Sequence, residues 1–140
     1  MSTGMICLLA LTSYAANESR LVFNCAPDND VYTMVTQAGV RALRYSSSAE
    51  AIERARPGAS VLIMADAYPA QTTRIEEKLF DLAAAKDLTL YIEFPHAVPG
   101  LDVSPSVRTV WERIVVTGPG FGAELPRMRI LTMHDCRYTP

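Results

Sequence analysis

Residues that can do chemistry sit where the apolar runs of this chain end. Asn24 and Cys25 follow Leu21-Val-Phe23, Asp66 follows Val61-Leu-Ile-Met-Ala65, and Glu93 and His96 close Tyr91-Ile-Glu-Phe-Pro-His96. A pair of carboxylates across a cleft can split a glycosidic bond, one protonating the leaving group while the other activates water or attacks. Asp66 and Glu93 are the candidates for such a pair, with His96 as a third titratable group. A thiol next to an imidazole is a nucleophile, and Cys25 with His96, oriented by Asp66 or Glu93, has the residue types for it. Cys25, however, is followed by Ala-Pro and not by the glycine-lined, helix-opening turn that presents such nucleophiles. The scattered His96 and His134 show neither H-x-x-x-H nor C-x-x-C spacing, so no metal and no cofactor is expected. Gly118-Pro-Gly-Phe-Gly122 follows a late apolar run and opens no long helix, which makes it a turn and not a phosphate cradle.

These residues need a scaffold, and the periodicities supply one. Arg20 to Asn24 reads as a strand, and Val31, Met34, Val35 and Ala38 repeat as one helical stripe ended by Gly39. Val40 to Tyr45 reads as a second strand. Ser47-x-x-Glu50 opens a helix that carries Ile52 and Ala55 inward and stops at Pro57-Gly58. Ala59 to Ala65 is apolar on both faces, as in a central parallel strand. Thr73-x-x-Glu76 is a second capping box, opening a helix with Ile75, Leu79, Leu82 and Ala83 on its buried stripe. In Leu88 to Phe94 apolar residues alternate with Thr89, Tyr91 and Glu93, so one face packs and the other looks outward. After the proline-rich loop from Pro95 to Pro105, Trp111 to Thr117 and Arg127 to Met133 read as fifth and sixth strands.

Alternation of strand and helix predicts an α/β fold of three layers: a mostly parallel sheet with helices on both faces, in the flavodoxin-like order 2-1-3-4-5. Asp28, Asp30, Asp66, Tyr68, Glu93 and His96 then gather at the C-terminal edge of the sheet, where such folds bind ligands. Asp28 and Asp30 also suit the N-cap of the helix that follows them.

With 140 residues and 13 basic against 15 acidic side chains, the chain reads as one domain without the charge footprint of a nucleic-acid binder. The uncharged first seventeen residues, with Met5 to Leu11 apolar and Ser13-Tyr-Ala15 small at the ends, read as a signal peptide over residues 1–15. That run is too short to span a membrane. Residues 16–140 are then a secreted or periplasmic α/β domain, a candidate module of a longer protein. In that compartment Cys25 and Cys136 could pair, although buried inert thiols are the default.

The run from Val61 to Pro99 resembles class I glutamine amidotransferase-like domains. VLIMADAYP is similar to their loop-ending strand, and LFDLAAAKDLTLYIEFPH to the helix and strand that present the cysteine nucleophile. Here Glu93 stands at the cysteine's position, with Phe94-Pro95 in place of a small residue and glycine. A carboxylate does not perform thiolate acyl chemistry, so the resemblance implies no glutaminase activity. It implies a nucleophile-less domain of the kind that accompanies catalytic modules in secreted polysaccharide-handling proteins. The expected role is that of an accessory domain binding a carbohydrate or an adjacent protein module through Asp28, Asp30, Asp66, Tyr68, Glu93 and His96. The alternative is a glycoside hydrolase using Asp66, Glu93 and His96.

Overall fold

The computed structural model describes residues 19–120 and 122–140; the leader expected over residues 1–15 lies outside them. Four short strands, β1 (Leu21–Asn24), β2 (Leu43–Tyr45), β3 (Ser60–Ile63) and β4 (Thr89–Ile92), form a parallel sheet in the order β2-β1-β3-β4. Val22 lies opposite Leu43 on one side and Val61 on the other, and Val61 lies opposite Leu90. The connections are the helices α1 (Asp30–Gln37), α2 (Ser48–Arg54) and α3 (Glu77–Ala85). The chain is α/β, as its alternating pattern predicts.

Alternate side chains of the central strands enter two apolar clusters. Val22, Val61 and Ile63 pack with Ala51, Ile52 and Ala55 from and after α2 and with Leu79 and Ala83 of α3. Phe23, Cys25 and Met64 point the other way and meet Tyr32 and Val35 of α1. This two-sided burial explains why residues 59–65 are apolar without alternation. Burying each Val or Ile at such positions contributes about 1.5–3 kcal/mol. The second cluster is less extensive: no residue of α1 is fully buried, and Thr89 and Tyr91 on β4 are exposed.

The local signals hold unevenly. Ser47 is the N-cap of α2, its hydroxyl accepting from the Glu50 N–H at 3.2 Å. Thr73 is not a cap. Its hydroxyl donates to the Glu93 carbonyl at 2.7 Å, and its backbone bridges Pro95 in the manner of a strand, so α3 begins only at Glu77. A cross-strand hydrogen bond has outcompeted the local one. The stripe expected on α1 is rotated: Met34 is 70% exposed, while Tyr32 packs edge-on against Phe23 at 5.4 Å. The aromatic ring buries more area than Val31 or Met34 and sets the helix orientation.

The expected fifth and sixth strands form, but they do not extend the parallel sheet. β6 (Trp111–Val115) pairs antiparallel with β7 (Ile130–His134), and β5 (Val107–Arg108) pairs antiparallel with β8 (Arg137–Tyr138). Val107 faces Tyr138 and Trp111 faces His134, so the two ladders share one register and make a single long ribbon. At its break, the buried Thr109 reinforces the backbone bond from its N–H to the Cys136 carbonyl at 2.8 Å with its side chain: Oγ1 donates to the same carbonyl at 3.2 Å and accepts from the Cys136 N–H at 3.3 Å. Asp135 turns through a left-handed φ of 46° beside it. The reason for the antiparallel outcome is in the connections. Parallel addition needs a crossover, usually helical, and the segment from Pro95 to Pro105 carries three prolines and no helix.

Candidate functional site

The C-terminal ends of β3 and β4 are tied together by side chains that the sequence marked as reactive. Glu93 leaves β4 and its Oε2 accepts the Ala65 N–H at 2.9 Å, closing the gap between the two strand ends. A carboxylate in that position holds the loop after β3 in place. Asp66, the next residue in that loop, is exposed. His96 forms a hydrogen bond between its Nδ1 and Thr72 Oγ1 at 3.2 Å, and its backbone N–H donates to the Thr73 carbonyl at 2.9 Å. Asp66, Tyr68, Glu93 and His96 therefore share one edge.

At the end of β1 the groups differ. Cys25 is buried, and Arg44 Nη1 donates to its carbonyl at 2.9 Å. Burial pushes the Cys25 thiol above its usual value; the nearby Asp66 carboxylate pushes it further, against a smaller opposing pull from Arg44. Such a thiol is protonated at neutral pH and a poor nucleophile. His96 is on the far side of β3 and bonded to Thr72, so Cys25 has no imidazole base in contact. Asn24 bonds the Tyr45 carbonyl through Nδ2 at 3.4 Å and joins β1 to β2. Cys25 and Cys136 are both free thiols.

Asp28 and Asp30 flank the residue that does the capping. Asn29 Oδ1 accepts from the Tyr32 N–H at 3.1 Å, and Asp30 Oδ1 accepts from the Val31 N–H at 2.8 Å in the first turn of α1. Both positions suit a carboxylate at the positive end of a helix. Asp28 is exposed and forms no side-chain hydrogen bond with a described residue.

Tyr68 links this edge to the C-terminal ribbon. Its hydroxyl accepts from the Arg137 N–H at 2.6 Å and donates to the Arg137 carbonyl at 3.2 Å, and its ring packs edge-on against Phe94 at 5.1 Å. Phe94 follows Glu93 directly, adopts a left-handed φ of 48° and is buried. Beneath this clamp is a cavity of about 820 Å³, lined by residues 69–72, Arg74, Phe94, Ser106 and Arg137. Its size is that of a small-molecule site. Arg74, Ser106 and Arg137 carried no signal in the sequence. Arg74 sat in what read as a helix turn, and Arg137 reaches the cavity only because the ribbon folds back onto Tyr68. Among the described residues no three His, Cys, Asp or Glu side chains gather as a metal site, and no helix is long and apolar enough to cross a membrane.

No protein-family model, no curated protein and no solved structure matches the chain.

Proposed function

We propose that the chain is a non-catalytic accessory domain of a secreted glycan-processing protein, binding a carbohydrate in the crevice at the C-terminal edge of the parallel sheet. The observation that carries this reading is the cavity of about 820 Å³ beside groups already engaged in holding the fold. Glu93 holds Ala65, His96 holds Thr72, and the Cys25 thiol is buried. Hydroxyl, amide and guanidinium groups line the cavity together with the Phe94 ring, a mixture of polar and apolar groups suited to a sugar. The secreted or periplasmic setting rests on the leader-like residues 1–15.

The fold reading is a three-layer, flavodoxin-like and amidotransferase-like domain without the nucleophile. Two features support it: the 2-1-3-4 parallel order and the left-handed turn at Phe94, directly after the glutamate that replaces the cysteine. An adjacent protein module is the second reading for the partner, favoured by β4 lying at the sheet's edge with Tyr91 exposed beside it. The hydrolase alternative, with Asp66 and Glu93 as acid and base and His96 in support, is disfavoured because Glu93 accepts a backbone N–H in place of a substrate proton.

A glycan array followed by amide NMR with the selected sugar tests the proposal. Shifts concentrated at residues 69–74, Phe94, Ser106 and Arg137 are expected, with weaker array signals for Gln71→Ala and Ser106→Ala, which remove polar groups from the lining. Equal signals for all three proteins, or shifts confined to α1 or the outer face of the ribbon, remove the crevice from consideration.

A further inference from the structure

The cavity under the Tyr68 clamp has a charge character that the chain as a whole does not. Acidic residues outnumber basic ones, 15 to 13, yet the described residues lining the cavity include two arginines and no carboxylate. Arg137 donates from Nη1 to Ser106 Oγ at 3.1 Å, and neither Arg137 nor Arg74 forms a salt bridge with a described residue. The contrast with Arg108 is direct: on the same ribbon, that side chain pairs with Asp135 at 2.6 Å. Both arginines are exposed, so each guanidinium stays charged and solvent-screened, and an anion in the cavity finds two positive groups and no carboxylate to oppose it. The planar fork of each group fits a carboxylate or a phosphate through two parallel hydrogen bonds. Gln71, Thr72 and Ser106 add neutral donors and acceptors suited to sugar hydroxyls.

We propose that this cavity binds an acidic saccharide, with Arg74 and Arg137 taking its carboxylate or phosphate and Gln71, Thr72 and Ser106 taking its hydroxyls. The inference rests on the carbohydrate reading of the crevice and adds the sign of the ligand's charge. Arg74 comes from the loop before α3 and Arg137 from β8, so a ligand held by both also links the parallel sheet to the ribbon.

The test is calorimetric titration of the full chain with four probes: a disaccharide containing one glucuronate, the same disaccharide with glucose in its place, glucose 6-phosphate, and inorganic phosphate. At least one acidic sugar is expected to bind about ten-fold more tightly than the neutral one, and raising the salt is expected to narrow that gap. Whichever of the glucuronate and the phosphate binds more tightly names the source of the charge. Arg74→Gln and Arg137→Gln are each expected to cost about ten-fold for the acidic sugar and little for the neutral one. Arg74 has no hydrogen bond to a described residue, so its variant leaves the fold intact and keeps the test decisive. Equal affinity for acidic and neutral sugars, or unchanged affinity in both variants, overturns the charge inference while the carbohydrate reading stands. Binding of inorganic phosphate with no binding of any sugar overturns the carbohydrate reading and leaves the site an anion site only. No binding of any probe overturns both.

Discussion

Residues 19–96 bury Val22, Phe23, Ile52, Val61 and Ile63 to 1% exposure or less, whereas the ribbon of residues 107–138 leaves Trp111 71% and Ile130 60% exposed. Every side chain of β6 is exposed, and Thr109 and Val116 are the buried residues of the described ribbon and its turn. The first region is held by apolar burial on two faces of a sheet. The second is held by backbone pairing, by the Thr109 hydroxyl at its break and by the Tyr68 clamp. A two-stranded ribbon without a packed face is marginal alone in water. The comparison teaches that the cavity has one wall carried by the segments that follow β3 and β4, and one wall whose position depends on a few polar contacts.

The largest effects should fall in the first region. Phe23→Ala is expected to cost about 3–5 kcal/mol and Ile52→Ala about 2–5 kcal/mol, because each leaves a cavity in a sheet–helix interface. Trp111→Ala, which removes a ring packed at 4.1 Å on its cross-strand partner His134, is expected to cost only about 0.5–1.5 kcal/mol. Urea unfolding of the three variants measures this. A Trp111→Ala cost comparable to Ile52→Ala would mean that the ribbon has a packed face after all, and the contrast between the regions would collapse.

Next in size is the clamp between the regions. Tyr68→Phe keeps the ring against Phe94 but removes the hydroxyl that both accepts from and donates to Arg137. The expected loss is about 0.5–1.5 kcal/mol for the net hydrogen bonding. Its signature is regional: faster amide exchange along β5 and β8 with β1 and β3 unchanged. Uniformly faster exchange across both regions would show that they unfold as one unit.

What the sequence revealed divides along the same line. β1, β3 and α2 were legible because their order comes from burial, and burial leaves a periodic apolar record around Val22, Ile52 and Val61. The Ser47 cap was legible because its partner, the Glu50 N–H, is three residues away. The start of α3 was misread because the Thr73 hydroxyl has a partner twenty residues distant, the Glu93 carbonyl. The strands of the ribbon were found, but their pairing was not, since residue alternation does not record which neighbour a strand will take. Of the expected site residues, Tyr68, Glu93 and His96 lie in the segments that follow β3 and β4 and Asp28 and Asp30 at the start of α1 beside Asn29, but none of them lines the cavity. Arg74 and Arg137 were illegible: nothing local distinguishes a cavity arginine from a solvated one.

Cys25 offers a smaller, chemical version of the regional contrast. Burial, and then Asp66, raise its pKa, so the folded thiol ionises above the unfolded one. A raised value means that the contribution to stability is fully present below the unfolded thiol's range and is lost as pH rises through the folded value. Cys136, in the ribbon, is only partly buried. Of these two thiols, alkylation at neutral pH, read site by site by peptide mass mapping, is expected to label Cys136 first, and Cys25 only under denaturant or at strongly alkaline pH. Equal labelling of both in the native protein would place the Cys25 side of the sheet among the loosely held parts.

The smallest effect concerns the brace inside the ribbon. Arg108 holds the Asp135 carboxyl below the usual carboxylate range, first by the hydrogen bond at 2.6 Å and then by its charge. A depressed value means that the contribution is present above the unfolded carboxyl's value and disappears as pH falls through the folded one. Both side chains are exposed, so salt screens the attraction and the gain in stability is slight. In a carboxyl-carbon NMR titration Asp135 should ionise below the usual carboxylate range, and Arg108→Gln should return it toward that range. Adding salt should recover part of that return, because the coulombic share is screened while the directional hydrogen bond persists. An Asp135 titration indifferent to Arg108→Gln would remove the brace. The left-handed turn at Asp135 and the Thr109 bonds would then be left to hold the ribbon's break, and with it the Arg137 wall of the cavity.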